Sequence, residues 1–124
     1  MFDELRTKLS WGVRQPVHPD TPAISLTRLL AALGDPIRLG LVRLLSDGQE
    51  RAWSELRAPV AKSTLSHHLR VLRDAGLTWT RQEGTRCFVR LRQADLDARF
   101  PGLVPALLAA AEVDGPHGDV HLAE

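Results

Sequence analysis

Between positions 62 and 76 the sequence reads K-S-T-L-S-H-H-L-R-V-L-R-D-A-G, and its polar residues form an unusual hydrogen-bonding set. At about 3.6 residues per turn, Leu65, Leu69 and Leu72 share one side of a helix. Ser63, Ser66, His67, Arg70 and Asp74 share the other, with Lys62 at its N-terminal edge. A solvated helix face is commonly rich in glutamate and lysine, whereas this one offers small hydroxyls, an imidazole and a guanidinium. Such groups approach a phosphate backbone closely and still exchange hydrogen bonds with base edges. The chemistry predicted is recognition of double-stranded DNA. Ser63 is the expected N-cap, its hydroxyl accepting from a free N–H of the first turn. Gly76 is the expected stop, because glycine takes the left-handed conformation without steric cost.

The elements that must position this helix follow from their own patterns. A short helix over 53–58, with Trp53 and Leu56 inward, precedes it, and Pro59 ends that helix. Two helices joined by a tight turn, the second with a polar outer face, make a helix-turn-helix. Upstream, a helix over 24–33 carries Leu26, Leu29, Leu30 and Leu33 as an apolar stripe and ends at Gly34. Asp35 and Pro36 then supply an N-cap and a first helical residue for a second helix running to about residue 45. Its inward residues are Ile37, Leu41, Leu44 and Leu45. These leucine stripes predict a hydrophobic core and no cofactor site. Downstream, 77–81 and 86–92 read as two strands joined through Gln82-Glu83-Gly84-Thr85. Cys87, Val89 and Leu91 alternate there with Arg86, Phe88, Arg90 and Arg92, which predicts a half-buried strand with its cysteine inside.

Three of these pieces resemble the ArsR-type (ArsR/SmtB) bacterial winged-helix transcriptional repressors. They are L-L-A-A-L-G-D-P-I-R-L-G-L-V-R-L-L from Leu29, S-T-L-S-H-H-L-R-V-L-R-D-A-G-L from Ser63 and E-G-T-R-C-F-V-R-L from Glu83, and with their spacers they cover roughly residues 24–112. The resemblance implies a mainly α fold with a small β-hairpin (α+β), a winged helix-turn-helix. It also implies a homodimer that binds an operator and is released by an effector. By match to the family pattern, Lys62, Ser63, Ser66 and His67 contact bases and nearby phosphates, with Thr64 and Arg70 supporting. Arg86, with Arg81 and Arg90, anchors the wing, where a cation at the hairpin tip can reach phosphate or the minor groove. The turn before the recognition helix is tighter than the family pattern and holds Pro59.

Composition agrees with this class. At 124 residues, 44% hydrophobic and 25% charged, the chain has room for one domain with one modest core. We expect an arm over 1–22, a DNA-binding and dimerisation domain over 23–113 and a flexible tail over 114–124. A short helix near Phe2 and Leu9 is expected to open the arm, with Trp11 and Val13 as tethering contacts. Three prolines between Pro16 and Pro22 then exclude regular helix. The first ten residues carry acids and no signal-like apolar core, and no apolar run approaches the roughly 20 residues of a membrane span. A single cysteine cannot form an internal disulfide and fits a reducing cytoplasm. The net charge of +1 hides a division: 61–92 carries a balance of +5, and the chain from Gln93 onward a balance of −5. Basic charge confined to one segment is the electrostatic footprint of a nucleic-acid surface.

After the wing, 95–100 reads as a helical turn and 103–113 as a final helix. Phe100, Leu103, Val104, Leu107 and Leu108 give that region more apolar surface than so small a core requires. In the family the first and last helices form the dimer interface, so these residues, with Leu26 and Leu30, are assigned to a twofold contact. Two other readings compete. Metal-responsive control through the tail would use His117 and His121 near Asp114 and Asp119. One cysteine cannot build the family's thiolate site, and no histidine lies between Ala94 and Val113, so neither metal nor cofactor is expected. A winged-helix module that binds protein and not DNA is the other alternative. Without a phosphate-cradling glycine loop or a nucleophile–base motif, an enzyme is not expected.

Overall fold

A computed structural model describes residues 15–124. Helix α1 spans Leu26–Leu33, with Ser25 as its N-cap accepting from the Arg28 N–H at 3.4 Å. Helix α2 spans Pro36–Leu44; the Asp35 carboxylate caps it, accepting from the Ile37 and Arg38 N–H groups at 2.8 and 3.1 Å. One 3-10 turn, Leu45–Asp47, closes α2. Strand β1 (Arg51–Ala52), a 3-10 turn (Trp53–Glu55) and strand β2 (Leu56–Arg57) lead to helix α3, Lys62–Asp74. Strands β3 (Thr78–Glu83) and β4 (Arg86–Leu91) follow, then helix α4 (Gln93–Arg99), helix α5 (Leu103–Asp114) and strand β5 (His121–Leu122).

The hairpin pairs Thr78 with Leu91 through Glu83 with Arg86, and β1 adds to the far side of β4, so the antiparallel order is β1-β4-β3. The core lies where α1, α2 and α3 meet this sheet. Leu29, Leu41, Leu69, Leu72, Leu77 and Val89 are there fully removed from water. Helix α3 ends in a Schellman arrangement, in which the Gly76 N–H donates to Arg73 O and the Leu77 N–H to Leu72 O, both at 3.0 Å. Gly76 has φ +88°, and a Cβ there would lie 2.6 Å from Ile24 Cγ1, so glycine is required on two counts.

Several sequence expectations are corrected. The helix expected over 53–58 is one 3-10 turn between two short strands. Its backbone groups are drawn into ladders, Ala52 opposite Phe88 and Leu56 opposite Leu122. The Glu55 carboxylate closes the turn by accepting from the Ala52 N–H at 2.7 Å. Ser63 is not the N-cap: Ala61 is, with no side-chain cap bond, and Ser63 is the second helical residue. The hairpin is longer than expected, and only Gly84 and Thr85 turn it, Gly84 with φ +59°. Cys87 is half-buried and not enclosed. Arg92 does not face out. β4 has ended at Leu91, so alternation no longer governs it. It is 2% exposed, ion-paired to Asp95 at 3.0 Å, donating to Pro19 O at 2.8 Å and stacked 3.8 Å above the Trp79 ring.

The last ten residues are not a loose end. The Arg43 guanidinium donates to Gly115 O at 2.6 Å, and β5 pairs antiparallel with β2. Gly40 and Gly118 allow the close approach of tail to α2: a Cβ on Gly40 would lie 2.4 Å from His117 O, and one on Gly118, at φ +67°, 2.8 Å from Ile37 Cα. At the other end, the Gln15 and His18 side chains lie along β3. His18 Nε2 accepts from the Thr80 N–H at 2.8 Å, and Gln15 exchanges bonds of 3.1 and 2.9 Å with the Gln82 N–H and C=O. The helix expected near Phe2, and Trp11 and Val13, fall outside the described residues.

Candidate nucleic-acid interface

Helix α3 separates its two faces as the 3.6-residue period requires. Leu65, Leu69 and Leu72 are buried, while Lys62, Ser63, Thr64, His67 and Arg70 are exposed and Ser66 is half-buried. Among the described residues, none of these six polar side chains makes a hydrogen bond or ion pair within the chain. Six donors and acceptors on one face are therefore uncommitted. His68, one position on, is the opposite case: it is buried, with Nδ1 3.1 Å from Arg38 Nη1 and 3.9 Å from Asp35 Oδ1. Its pKa is lowered, chiefly by burial; Asp35 opposes the shift, and Arg38 and His67 add to it. Arg38 also donates to Ala32 O at 2.6 Å, so this cluster fixes α3 against the α1–α2 corner.

The three wing arginines differ. Arg86 and Arg90 are exposed and, among the described residues, in no ion pair; the Arg86 guanidinium lies 4.9 Å from the Phe88 ring centre. Arg81 is already held by two carboxylates, Glu50 at 2.8 Å and Glu83 at 2.6 Å, with its guanidinium 4.3 Å from the same ring. Those carboxylates hold the guanidinium well above its ordinary pKa, and the bond from Arg81 lowers the Glu50 carboxyl. Glu50 went unread in the sequence because it lies far from Arg81 along the chain. They meet because β1 and β3 flank β4, with Ala52 and Arg81 both opposite Phe88.

On another face, Leu26 and Leu30 of α1 remain 42% exposed each, one helical turn apart. Phe100, Leu103, Leu107 and Leu108 are half-buried against the core, whereas Val104 is 8% exposed and belongs to the chain's own interior. The tail histidines are separated in role: His117 sits between Arg43 Nη1 at 3.0 Å and Asp114 Oδ2 at 2.9 Å, and His121 Nδ1 lies 3.0 Å from Asp119 O. Among the described residues no group of three or more His, Cys, Asp or Glu side chains is placed to hold a metal ion, and the lone Cys87 does not fit a thiolate site. No described helix is long and apolar enough to cross a membrane.

A polar-faced helix packed against two others and followed by a β-hairpin defines a winged helix-turn-helix regulator of transcription. The profile of a helix-turn-helix domain family matches residues 33–78, from the end of α1 to the start of β3. The chain is 34% identical over 83 residues to the uncharacterized HTH-type transcriptional regulator YceK of Bacillus subtilis, covering 64% of this chain and 83% of that protein. It is 37% identical over 73 residues to the arsenical resistance operon repressor of Staphylococcus xylosus, covering 58% of this chain and 70% of that one. A crystal structure of a possible transcriptional regulator for arsenical resistance aligns with a TM-score of 0.51 at 30% identity, covering 75% of this chain and 100% of that one. The chain belongs to the ArsR-type family of transcriptional regulators.

Proposed function

We propose that the chain acts in the cytoplasm as a homodimeric repressor on an inverted-repeat operator. Helix α3 of each protomer enters the major groove, and the β3–β4 wing lies against the flanking backbone. The observation that carries this reading is the outer face of α3, where six polar side chains have no partner within the described chain beside a buried leucine row. Hydrogen-bonding groups left open in this way gain most from base edges and phosphates.

Lys62, Ser63, Ser66 and His67 meet bases and adjacent phosphates, with Thr64 and Arg70 supporting. Arg86 anchors the wing, Arg90 lies beside it, and Arg81 serves to stiffen the hairpin through Glu50. The twofold contact uses the exposed Leu26 and Leu30 with Phe100, Leu103, Leu107 and Leu108, and Val104 supports it from beneath. That symmetry spaces half-sites about 10 bp, or a multiple, apart. The test is selection of bound sequences from a random DNA pool, followed by titration of His67→Ala and Ser63→Ala. Each variant loses about 1–3 kcal/mol at the selected site and little on unrelated DNA. Variants that bind the selected site as tightly as the parent does would remove α3 from the interface.

A further inference from the structure

The missing helix before α3 leaves something in its place. Where a full helix would pack, the 3-10 turn Trp53–Glu55 and the extended β2 leave a cleft of about 510 Å³ against the N-terminal half of α3. Small-molecule sites occupy about 300–1,000 Å³ and pair apolar walls with a few polar groups. Here Leu56, Leu65 and Leu69 form the floor, at 2%, 8% and 1% exposure, and Trp53 stands as an aromatic wall. The Trp53 indole N–H is buried and, among the described residues, has no hydrogen-bond partner.

The mouth is cationic. Arg57 and Lys62 both line the cleft and are exposed. Among the described residues Arg57 donates only to the Ser54 and Leu56 carbonyls, at 2.6 and 3.1 Å, and neither cation is in an ion pair. An apolar floor, an aromatic wall and two uncompensated cations at the rim complement one kind of occupant: a flat apolar body with a single negative group at its edge.

We propose that this cleft binds a small aromatic monocarboxylate, ring against Trp53 and carboxylate toward Arg57 and Lys62, and that its occupation is incompatible with operator binding. The second part rests on the DNA reading above. Lys62, Ser63 and Ser66 line the cleft and also belong to the α3 face assigned to DNA, so ligand and duplex compete for the same side chains.

The test uses the full chain with 2-naphthoate as probe and 2-naphthamide as its uncharged counterpart. Protein amide resonances, including the Trp53 indole, are followed by NMR; a labelled selected duplex is followed in parallel by fluorescence anisotropy. Expected are saturable shifts confined to the cleft, at least fivefold tighter binding of the acid than of the amide, and an apparent DNA Kd that rises with naphthoate. Arg57→Gln, outside the DNA set, weakens the acid by up to about fivefold, one partly exposed charge pair, and leaves the amide unchanged. Ala58→Phe, with its fold verified by circular dichroism, fills the cleft and abolishes binding of both ligands. Shifts that do not saturate, an amide that binds as well as the acid, or hexanoate binding as tightly as naphthoate would overturn the site. Naphthoate that saturates the cleft without moving the DNA Kd overturns the competition. If the protein binds no duplex yet naphthoate saturates the cleft, the site stands and the DNA reading falls.

Discussion

Two arginines separated by only eleven positions, Arg70 and Arg81, make opposite predictions about salt. In protein–DNA binding, each phosphate neutralised contributes about −0.9 to the slope of log K against log salt concentration. Within one protomer, Lys62, Arg70, Arg86 and Arg90 carry charge that no ion pair among the described residues offsets, whereas Arg81 is bound to Glu50 and Glu83 at 2.8 and 2.6 Å. The proposed dimer presents each residue twice, so Arg70→Ala flattens the slope by about 1.8 units and Arg81→Ala leaves it within error. The Arg81 side chain is 46% exposed, so water screens its pairs, and its loss costs less than about 1 kcal/mol of folding stability. The assay is fluorescence anisotropy of a labelled operator from about 50 to 200 mM salt, the range over which counterion release dominates. Equal flattening by both variants would mean that Arg81 leaves its carboxylates for DNA. An unchanged slope in Arg70→Ala would take α3 off the duplex altogether.

Arg92→Met, which removes a buried guanidinium from Asp95, Pro19 O and the Trp79 ring, lowers unfolding stability by about 3 kcal/mol in urea titration without altering the DNA salt slope. Gly40→Val forces the tail off α2, because its Cβ would meet His117 O at 2.4 Å. Amide exchange at His121 and Ala123 should accelerate while α3 amides keep their protection. The His18 pKa lies below its ordinary value of 6.5, first through burial and then through Arg92 and Arg73. The unfolded chain therefore binds the proton more readily, and His18 makes stability rise with pH in the window just below 6.5. Its contribution is complete above that window and lost as pH falls through the folded pKa; His18→Gln flattens this dependence in thermal unfolding against pH.

Helix α3 was legible because what makes it a helix is local: a 3.6-residue leucine period, a small-polar outer face and a glycine stop. The same holds for Asp35 and Pro36, whose capping role needs only three neighbouring residues. Strand β4 was legible through Leu91 and failed one position later, at Arg92. Alternation is a property of a strand, and the chain there enters α4. The segment around Trp53 and the tail were misread together, for one reason. Each is extended because the other pairs with it, Leu56 with Leu122 and Arg57 with His121, and neither carries its own pattern for a two-residue strand. Glu50 was silent for a similar cause, since its partner Arg81 is brought near only by the sheet order β1-β4-β3. Val104, grouped with the apolar surplus of α5, is mostly this chain's own core, because a helix stripe does not declare which of its members face inward.

Gln15 and His18 have a consequence for how this protein keeps company. A strand with open N–H and C=O groups invites another strand from any passing copy. On β3 those invitations at Thr80 and Gln82 are answered from within, by an imidazole and a carboxamide standing in for a neighbouring backbone. Acidification, which protonates the imidazole, takes the acceptor from the Thr80 N–H and opens that rung of the edge, while the Gln15 carboxamide still holds Gln82. Self-association through that edge would strengthen with falling pH, and so is distinguishable from the proposed leucine contact, which carries no titrating group.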